Sequence, residues 1–239
     1  MFINILNILK EIKEVSYTDK DVRASWVGPG PASTDCFDYL NLAKWANEHL
    51  HMYEGFYNEI NRTSGKIMDI GCGAGFATIN LLNNFSNFKI NAIDFDEKCI
   101  NFANKYNSHK NINYINNDIF ICEIKDKFDY IFALEILEHL PAEHHYSFID
   151  LCLSYLKDDG KLFITTPNAK KESDGDFSHI GLLNNKRFDS FYFKYFENIL
   201  ELNFYDSKQF IVHDPPLSYM EGDKSHFRIV LVKQRDLKN

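Results

Sequence analysis

The stretch KIMDIGCGAGF, Lys66 to Phe76, decides the fold of this chain. Its first half is a short apolar run of the kind that forms a buried strand, and its second half sets Gly71, Gly73 and Gly75 at alternate positions before a new apolar run. Glycines in such a turn let the backbone adopt positive φ and come close to a ligand. The helix that follows presents its N-terminal amides to the same point. The dinucleotide fingerprint G-x-G-x-x-G requires a third glycine where this chain has Phe76, so the spacing argues against a nicotinamide dinucleotide.

Downstream of this unit, short runs rich in Ile and Phe alternate with helical patterns. Strands are predicted at KIMDIG, KINAIDF, INYIN, FDYIFAL, KLFITT, KQFIVH and HFRIVLV. The first five are separated largely by helix-like segments, as parallel βαβ units require, whereas the last two are joined without an obvious helix and imply an antiparallel finish. The expected fold is α/β: a doubly wound, Rossmann-like, mostly parallel seven-stranded sheet with an antiparallel last strand. Upstream, residues 1–64 contain no strand pattern. Phe2, Ile5, Leu6, Leu9 and Ile12 recur at helical spacing, a Gly/Pro-rich loop runs from Ser25 to Thr34, and a second helical stretch starts at Asp35. These residues are expected to form an N-terminal helical cap or substrate lid on a domain spanning residues 65–239, the two making a single folding unit.

The bulk properties narrow the function. A chain of 239 residues that is 45% hydrophobic can bury one large core. A net charge of -8 opposes a nucleic-acid partner, since neutralising phosphates takes clustered Lys and Arg. Five cysteines, Cys36, Cys72, Cys99, Cys122 and Cys152, are odd in number and include no C-x-x-C pair, which fits a reducing cytoplasm better than a disulfide framework or a zinc ribbon. The N-terminal apolar run lacks the basic start of a signal peptide. No run approaches the roughly 18 apolar residues of a membrane span.

In a doubly wound sheet, ligands bind beyond the carboxyl ends of the strands. After the second strand stands Asp94, in AIDFD, placed to accept hydrogen bonds from ribose hydroxyls or simply to cap the next helix. Phe95 beside it offers a flat face to an adenine, or else core packing. After the third strand, NNDIF places Asp118 where it can meet an adenine amino group or serve as a turn residue. Taken together, from Lys66 to Asn168, KIMDIGCGAGF, AIDFD, NNDIF, FDYIFALEILEHLP and LKDDGKLFITTPN resemble the class I S-adenosylmethionine-dependent methyltransferases. That resemblance implies that Gly71, Gly73 and Gly75 lie against the methionine part of the cofactor and that Asp94 holds the ribose. It further implies that Phe95 lies near the adenine, that Asp118 and Ile119 mark its edge, and that Asp69 supports the turn.

The acceptor chemistry should follow the fourth strand. Planar-nitrogen methyltransferases of this fold commonly carry N/D-P-P-Y/F there, where this chain has LEILEHLP, and no Pro-Cys pair of the cytosine-C5 type occurs. An oxygen acceptor is therefore expected, and a hydroxyl near neutral pH needs a base or a metal to remove its proton. On a helical turn, Glu135, Glu138 and His139 would share one face. With His179, which follows the fifth strand, they form a candidate catalytic set that could also bind Mg²⁺ or Mn²⁺. The E-x-x-E-H pattern is similar to that of ubiquinone-pathway O-methyltransferases and of small-RNA 2′-O-methyltransferases. His139 acting alone as a base and Glu138 acting only as a helix start remain open on these residues. His144 and His145 are expected on the surface.

The acceptor pocket is expected between the cap, with Tyr17, Arg23 and Trp26 as candidates, and the loop from Pro167 to Arg187. The leading expectation is an O-methyltransferase acting on a small polar acceptor, a sugar or nucleotide-linked sugar. A quinone or phenol, the terminal ribose of an RNA, and a cofactor-binding module without catalysis are the alternatives.

Overall fold

The computed structural model describes residue 50, residues 52–167, residue 194 and the segments 199–206, 211–213 and 226–233. Five parallel strands form one half of the sheet: β1 (Gly65–Ile70), β2 (Phe88–Asp94), β3 (Ile112–Asn116), β4 (Phe128–Leu134) and β5 (Leu156–Pro167). The other half, antiparallel in its pairings, consists of β6 (Ile199–Asp206), β7 (Ile211–His213) and β8 (His226–Val232). Their order across the sheet is β3-β2-β1-β4-β5-β8-β6-β7. The expected antiparallel last strand is β8, inserted between β5 and β6. The strand count differs from expectation: the described residues form a sheet of eight strands rather than seven, because ILELNFYD forms the unexpected strand β6, while the described end of KQFIVH, Ile211–His213, is the edge strand β7.

Three helices connect the parallel strands: α1 (Phe76–Asn84), α2 (Glu97–Tyr106) and α3 (His145–Tyr155). Asp96 caps α2, its side chain accepting the N–H groups of Lys98 and Cys99. β5 begins earlier than the KLFITT run suggested, at Leu156. Opposite Tyr130 the register jumps from Leu156 to Lys161, and the intervening residues form a bulge with Asp159 at φ 61°. An Asp-Asp-Gly sequence reads as a turn, yet here it stays in the strand through backbone bonds between Asp159, Gly160 and Lys233.

Every residue of β4 is buried, as befits a central strand covered on both faces. Alternate side chains enter two cores. Ile131, Ala133, Leu162 and Ile164 pack with Phe148, Ile149 and Cys152 of α3. Tyr130, Phe132 and Phe163 pack on the opposite face with Leu81 and Leu82 of α1 and with Met52, Tyr53, Phe56 and Ile60. The last residues of the 1–64 segment thus belong to the core of the sheet. Residues 1–49, including Tyr17, Arg23, Trp26 and the Gly/Pro-rich loop, lie outside the described residues, as do His179 and the 168–187 loop.

The strand order reverses between β1 and β4. A crevice opens at such a switch point, beyond the carboxyl ends of the strands. There the glycine turn after β1 and the LEILEHLP segment after β4 stand side by side: a Cβ added to Gly71 would lie 2.1 Å from the Ile136 side chain.

Candidate active site

The glycine turn has the backbone its sequence requires. Gly71, Gly73 and Gly75 have φ of 71°, 51° and 78°, all in the left-handed region where a side chain is strained. At Gly75 an added Cβ would also approach the Tyr114 hydroxyl to 2.5 Å. The turn is braced from outside by Asn107, whose Nδ2 donates to the Ala74 carbonyl at 2.8 Å. Gly71 and Cys72 donate their N–H groups to the Ile93 carbonyl at the end of β2.

Asp69 lies beneath the turn with no solvent exposure. The Tyr53 hydroxyl donates to its Oδ1, and the Thr78 hydroxyl donates to its Oδ2 at 2.5 Å. Burial pushes this carboxyl up to about 6 although the Thr78 and Tyr53 hydrogen bonds pull the other way. Asp94 stands at the end of β2 and accepts the Gly73 N–H on Oδ2 and the Asp96 N–H on Oδ1, at 2.8 and 2.9 Å. Burial pushes it, too, up to about 6, opposed by those backbone donors. Both groups therefore hold a proton more tightly in the folded chain than in the unfolded one, where aspartate titrates near 3.9. The stability they lend is complete below about pH 4 and lost as the pH rises through about 6. The thermal midpoint of the ligand-free protein is expected to fall over that interval and Asp94→Asn to flatten the fall. Equal slopes in the two proteins would contradict this.

Each Asp94 oxygen, holding one backbone N–H, has a further lone pair for a ligand hydroxyl. Phe95 next to it is 48% exposed, an unusual state for a large apolar ring and one that suits stacking on a base. Asn116 fixes this corner by donating to the Asp94 and Phe95 carbonyls. Asp118 is exposed and its Oδ1 accepts the Phe120 N–H, so it orders the 118–122 turn, with Ile119 buried below it. The turn, the carboxylate and the open ring fit an adenosine-containing cofactor.

After β4 the chain reverses sharply. Glu135 has φ 55°, a left-handed conformation that costs a residue with a side chain roughly 1 kcal/mol or more and that clusters at functional sites. Its N–H is tied to the Thr165 carbonyl at the end of β5. Leu137–His139 then form a single 3-10 turn, which corrects the expected α-helical face for Glu135, Glu138 and His139. Glu138 is buried, takes the Thr166 hydroxyl on Oε2 at 3.0 Å and is hydrogen-bonded to the Glu135 side chain. Burial, and then the Glu135 charge beside it, push the Glu138 carboxyl far above its usual range. His139, the last residue of that turn, is partly buried.

No group of three or more His, Cys, Asp or Glu residues with metal-binding geometry occurs among the described residues, so Glu135, Glu138 and His139 do not by themselves fit a Mg²⁺ or Mn²⁺ site. His179, the fourth member of the expected set, lies outside the described residues.

Several supporting residues were not anticipated. Tyr53 and Thr78 on Asp69, and Thr166 on Glu138, act across long stretches of chain and leave no local signal. His145, expected on the surface, is buried, and its Nε2 bonds the Leu137 and Leu140 carbonyls at 2.8 and 3.2 Å, holding the post-β4 turn in place. Here a signal existed: His145, Phe148, Ile149 and Cys152 form an i, i+3, i+4, i+7 stripe and are all buried.

Residues 43–203 match the family model described as "Methyltransferase domain". The chain is 30% identical over 129 residues to a "Ubiquinone biosynthesis O-methyltransferase" of Rickettsia bellii, covering 53% of this chain and 51% of that protein. It is 31% identical over 111 residues to the protein of the same name from Glaesserella parasuis, covering 43% of this chain and 45% of the other. The chain thus spans about half the length of these curated relatives. Among solved structures, the plantazolicin methyltransferase BpumL in complex with SAH and a pentazolic desmethylPZN analog matches over 96% of this chain and 99% of its own, with a TM-score of 0.64 at 18% identity. The N-methyltransferase NodS of Bradyrhizobium japonicum matches over 82% of this chain and 98% of its own, with a TM-score of 0.54 at 15% identity. At such identities the structures share a fold. No helix among the described residues is long and apolar enough to cross a membrane.

Proposed function

This chain belongs to the methyltransferase-domain family, as a class I S-adenosylmethionine-dependent enzyme, and from that premise we propose that it methylates a hydroxyl oxygen of a small acceptor. The observation that supports this reading is the chain reversal at Glu135, which brings Ile136, and with it the backbone of the Glu135–His139 segment, against the Gly71–Gly75 turn. Gly71, Gly73 and Gly75 would hold the methionine part of the cofactor, Asp94 the ribose, and Phe95, with Asp118 and Ile119, the adenine.

When bound, the cofactor supplies an activated methyl on a sulfonium, so the protein's tasks are alignment of the acceptor and removal of its proton. His139 is the residue suited to take that proton, because imidazole is the side chain that most often serves as a general base. The Glu135–Glu138 pair would hold the turn that carries it.

A phenolic or quinol acceptor is favoured over a sugar or nucleotide-linked sugar. A phenol gives up its proton at a pKa of about 10, within reach of an imidazole, whereas an alcohol resembles water at about 15.7 and calls for a metal. The names of the relatives in Rickettsia bellii and Glaesserella parasuis support the same choice. The net charge of -8 weighs against the terminal ribose of an RNA.

Incubation with methyl-labelled S-adenosylmethionine and a panel of catechols, sugar nucleotides and short RNAs tests the proposal. Label should pass to the catechol, and EDTA should leave the rate unchanged. Transfer to a sugar nucleotide, lost with EDTA and restored by Mg²⁺, would instead support the metal-assisted set completed by His179. Cofactor binding without transfer to any acceptor would leave a binding module.

A further inference from the structure

Tyr53 precedes the sheet and touches none of the turn's glycines in the hydrogen bonds described above, yet it reaches the point on which the turn depends. Asp69 is the penultimate residue of β1, and Thr78 lies in the first turn of α1. Their hydrogen bond therefore spans the Gly71–Gly75 turn and ties its entry to its exit. Only one Asp69 oxygen makes that bond. The other is taken by the Tyr53 hydroxyl, so the carboxylate is clamped from both sides and cannot rotate away from Thr78. Tyr53 is itself fixed by stacking on Phe132 of β4, with ring centroids 5.1 Å apart and planes 6° from parallel. Its hydroxyl is the only polar part of a buried aromatic side chain, and it is spent on this carboxylate.

We infer that Tyr53 is a positioning residue for the cofactor turn, acting through Asp69 and Thr78 to couple the segment before the sheet to cofactor affinity. This rests on the reading of the turn as the S-adenosylmethionine site. A carboxylate left with one donor where it had two gains rotational freedom and loses a charge-assisted hydrogen bond. The turn amides would then be less well preorganised for ligand, and affinity should fall without a change in the reacting geometry at β4.

Tyr53→Phe keeps the ring and its stacking and removes only the hydroxyl. In calorimetric titration with S-adenosylhomocysteine, its Kd should rise on the order of tenfold. The KM for S-adenosylmethionine should rise with it, while kcat at saturating cofactor stays within about twofold of wild type. Thr78→Val, which removes the other donor, should weaken binding in the same sense. Phe56→Leu, in the same buried segment but away from Asp69, should lower the thermal midpoint and leave Kd unchanged. A wild-type Kd in Tyr53→Phe or in Thr78→Val would overturn the inference, as would a fall in kcat with Kd unmoved. Failure of the wild-type protein to bind S-adenosylhomocysteine at all would overturn the reading of the turn, and this inference with it.

Discussion

His139→Ala is expected to lower the rate of methyl transfer at saturating cofactor by roughly 10² to 10⁴, the usual contribution of a positioned proton acceptor, with cofactor affinity unchanged. The expectation comes from how firmly the surrounding chain is held. Glu135 turns back at φ 55° and is pinned to Thr165, the His139 N–H closes the 3-10 turn on the Ile136 carbonyl, and His145 bonds two carbonyls from below. A segment fixed at so many points holds the His139 backbone in one place. Ile136, packed close to Gly71, puts that segment beside the Gly71–Gly75 turn. Initial rates with the acceptor found in the labelled panel, measured beside the S-adenosylhomocysteine Kd, separate the two effects. A variant that turns over like the wild type would remove His139 from the reaction, and one that loses cofactor affinity in proportion to rate would make it a binding residue instead.

The first three parallel strands were legible because each is a short apolar run closed by a residue with a strong local preference: Gly71 after β1, Asp94 at the end of β2, Asp118 after β3. Such residues act within a few positions of themselves, and a sequence reports that distance well. The antiparallel half was less legible. β6, ILELNFYD, alternates imperfectly, and no strand is predicted there from the sequence. The site divides along the same line. The turn proposed to hold the cofactor is written in glycines, whereas the proposed acceptor edge depends on a left-handed Glu135, a conformation that few non-glycine residues adopt and that no spacing rule announces. Three residues read as one α-helical face therefore became a reversal and a 3-10 turn, which paired Glu135 with Glu138 and buried the latter under Thr166. Tyr53, separated from Asp69 by 16 positions, depends wholly on the tertiary fold.

Asp94→Ala is expected to weaken cofactor binding by about 1.5 to 3 kcal/mol, the range for hydrogen bonds to a charged group. In the ligand-free protein its two oxygens already hold Gly73 N–H and Asp96 N–H, so the side chain serves both the turn after β1 and the start of α2. Alanine removes the proposed ribose acceptors and loosens the turn together, and the upper part of the range is the expected result. The fold should persist, because the Asp96 cap on α2 and the β1–β2 pairing do not use the Asp94 side chain. Ionisation adds a second test. Since the carboxyl titrates at about 6 and accepts hydrogen bonds best when ionised, wild-type affinity should decline as the pH falls through about 6. The decline should lessen in Asp94→Ala, whose affinity is already low; Asp69, which also titrates at about 6, would account for the part that remains. Calorimetric titration between pH 5 and 8, with circular dichroism to confirm folding, measures both. A folded variant that binds S-adenosylhomocysteine as tightly as the wild type at pH 7.5 would show that Asp94 holds the turn alone and leaves the ribose to other groups.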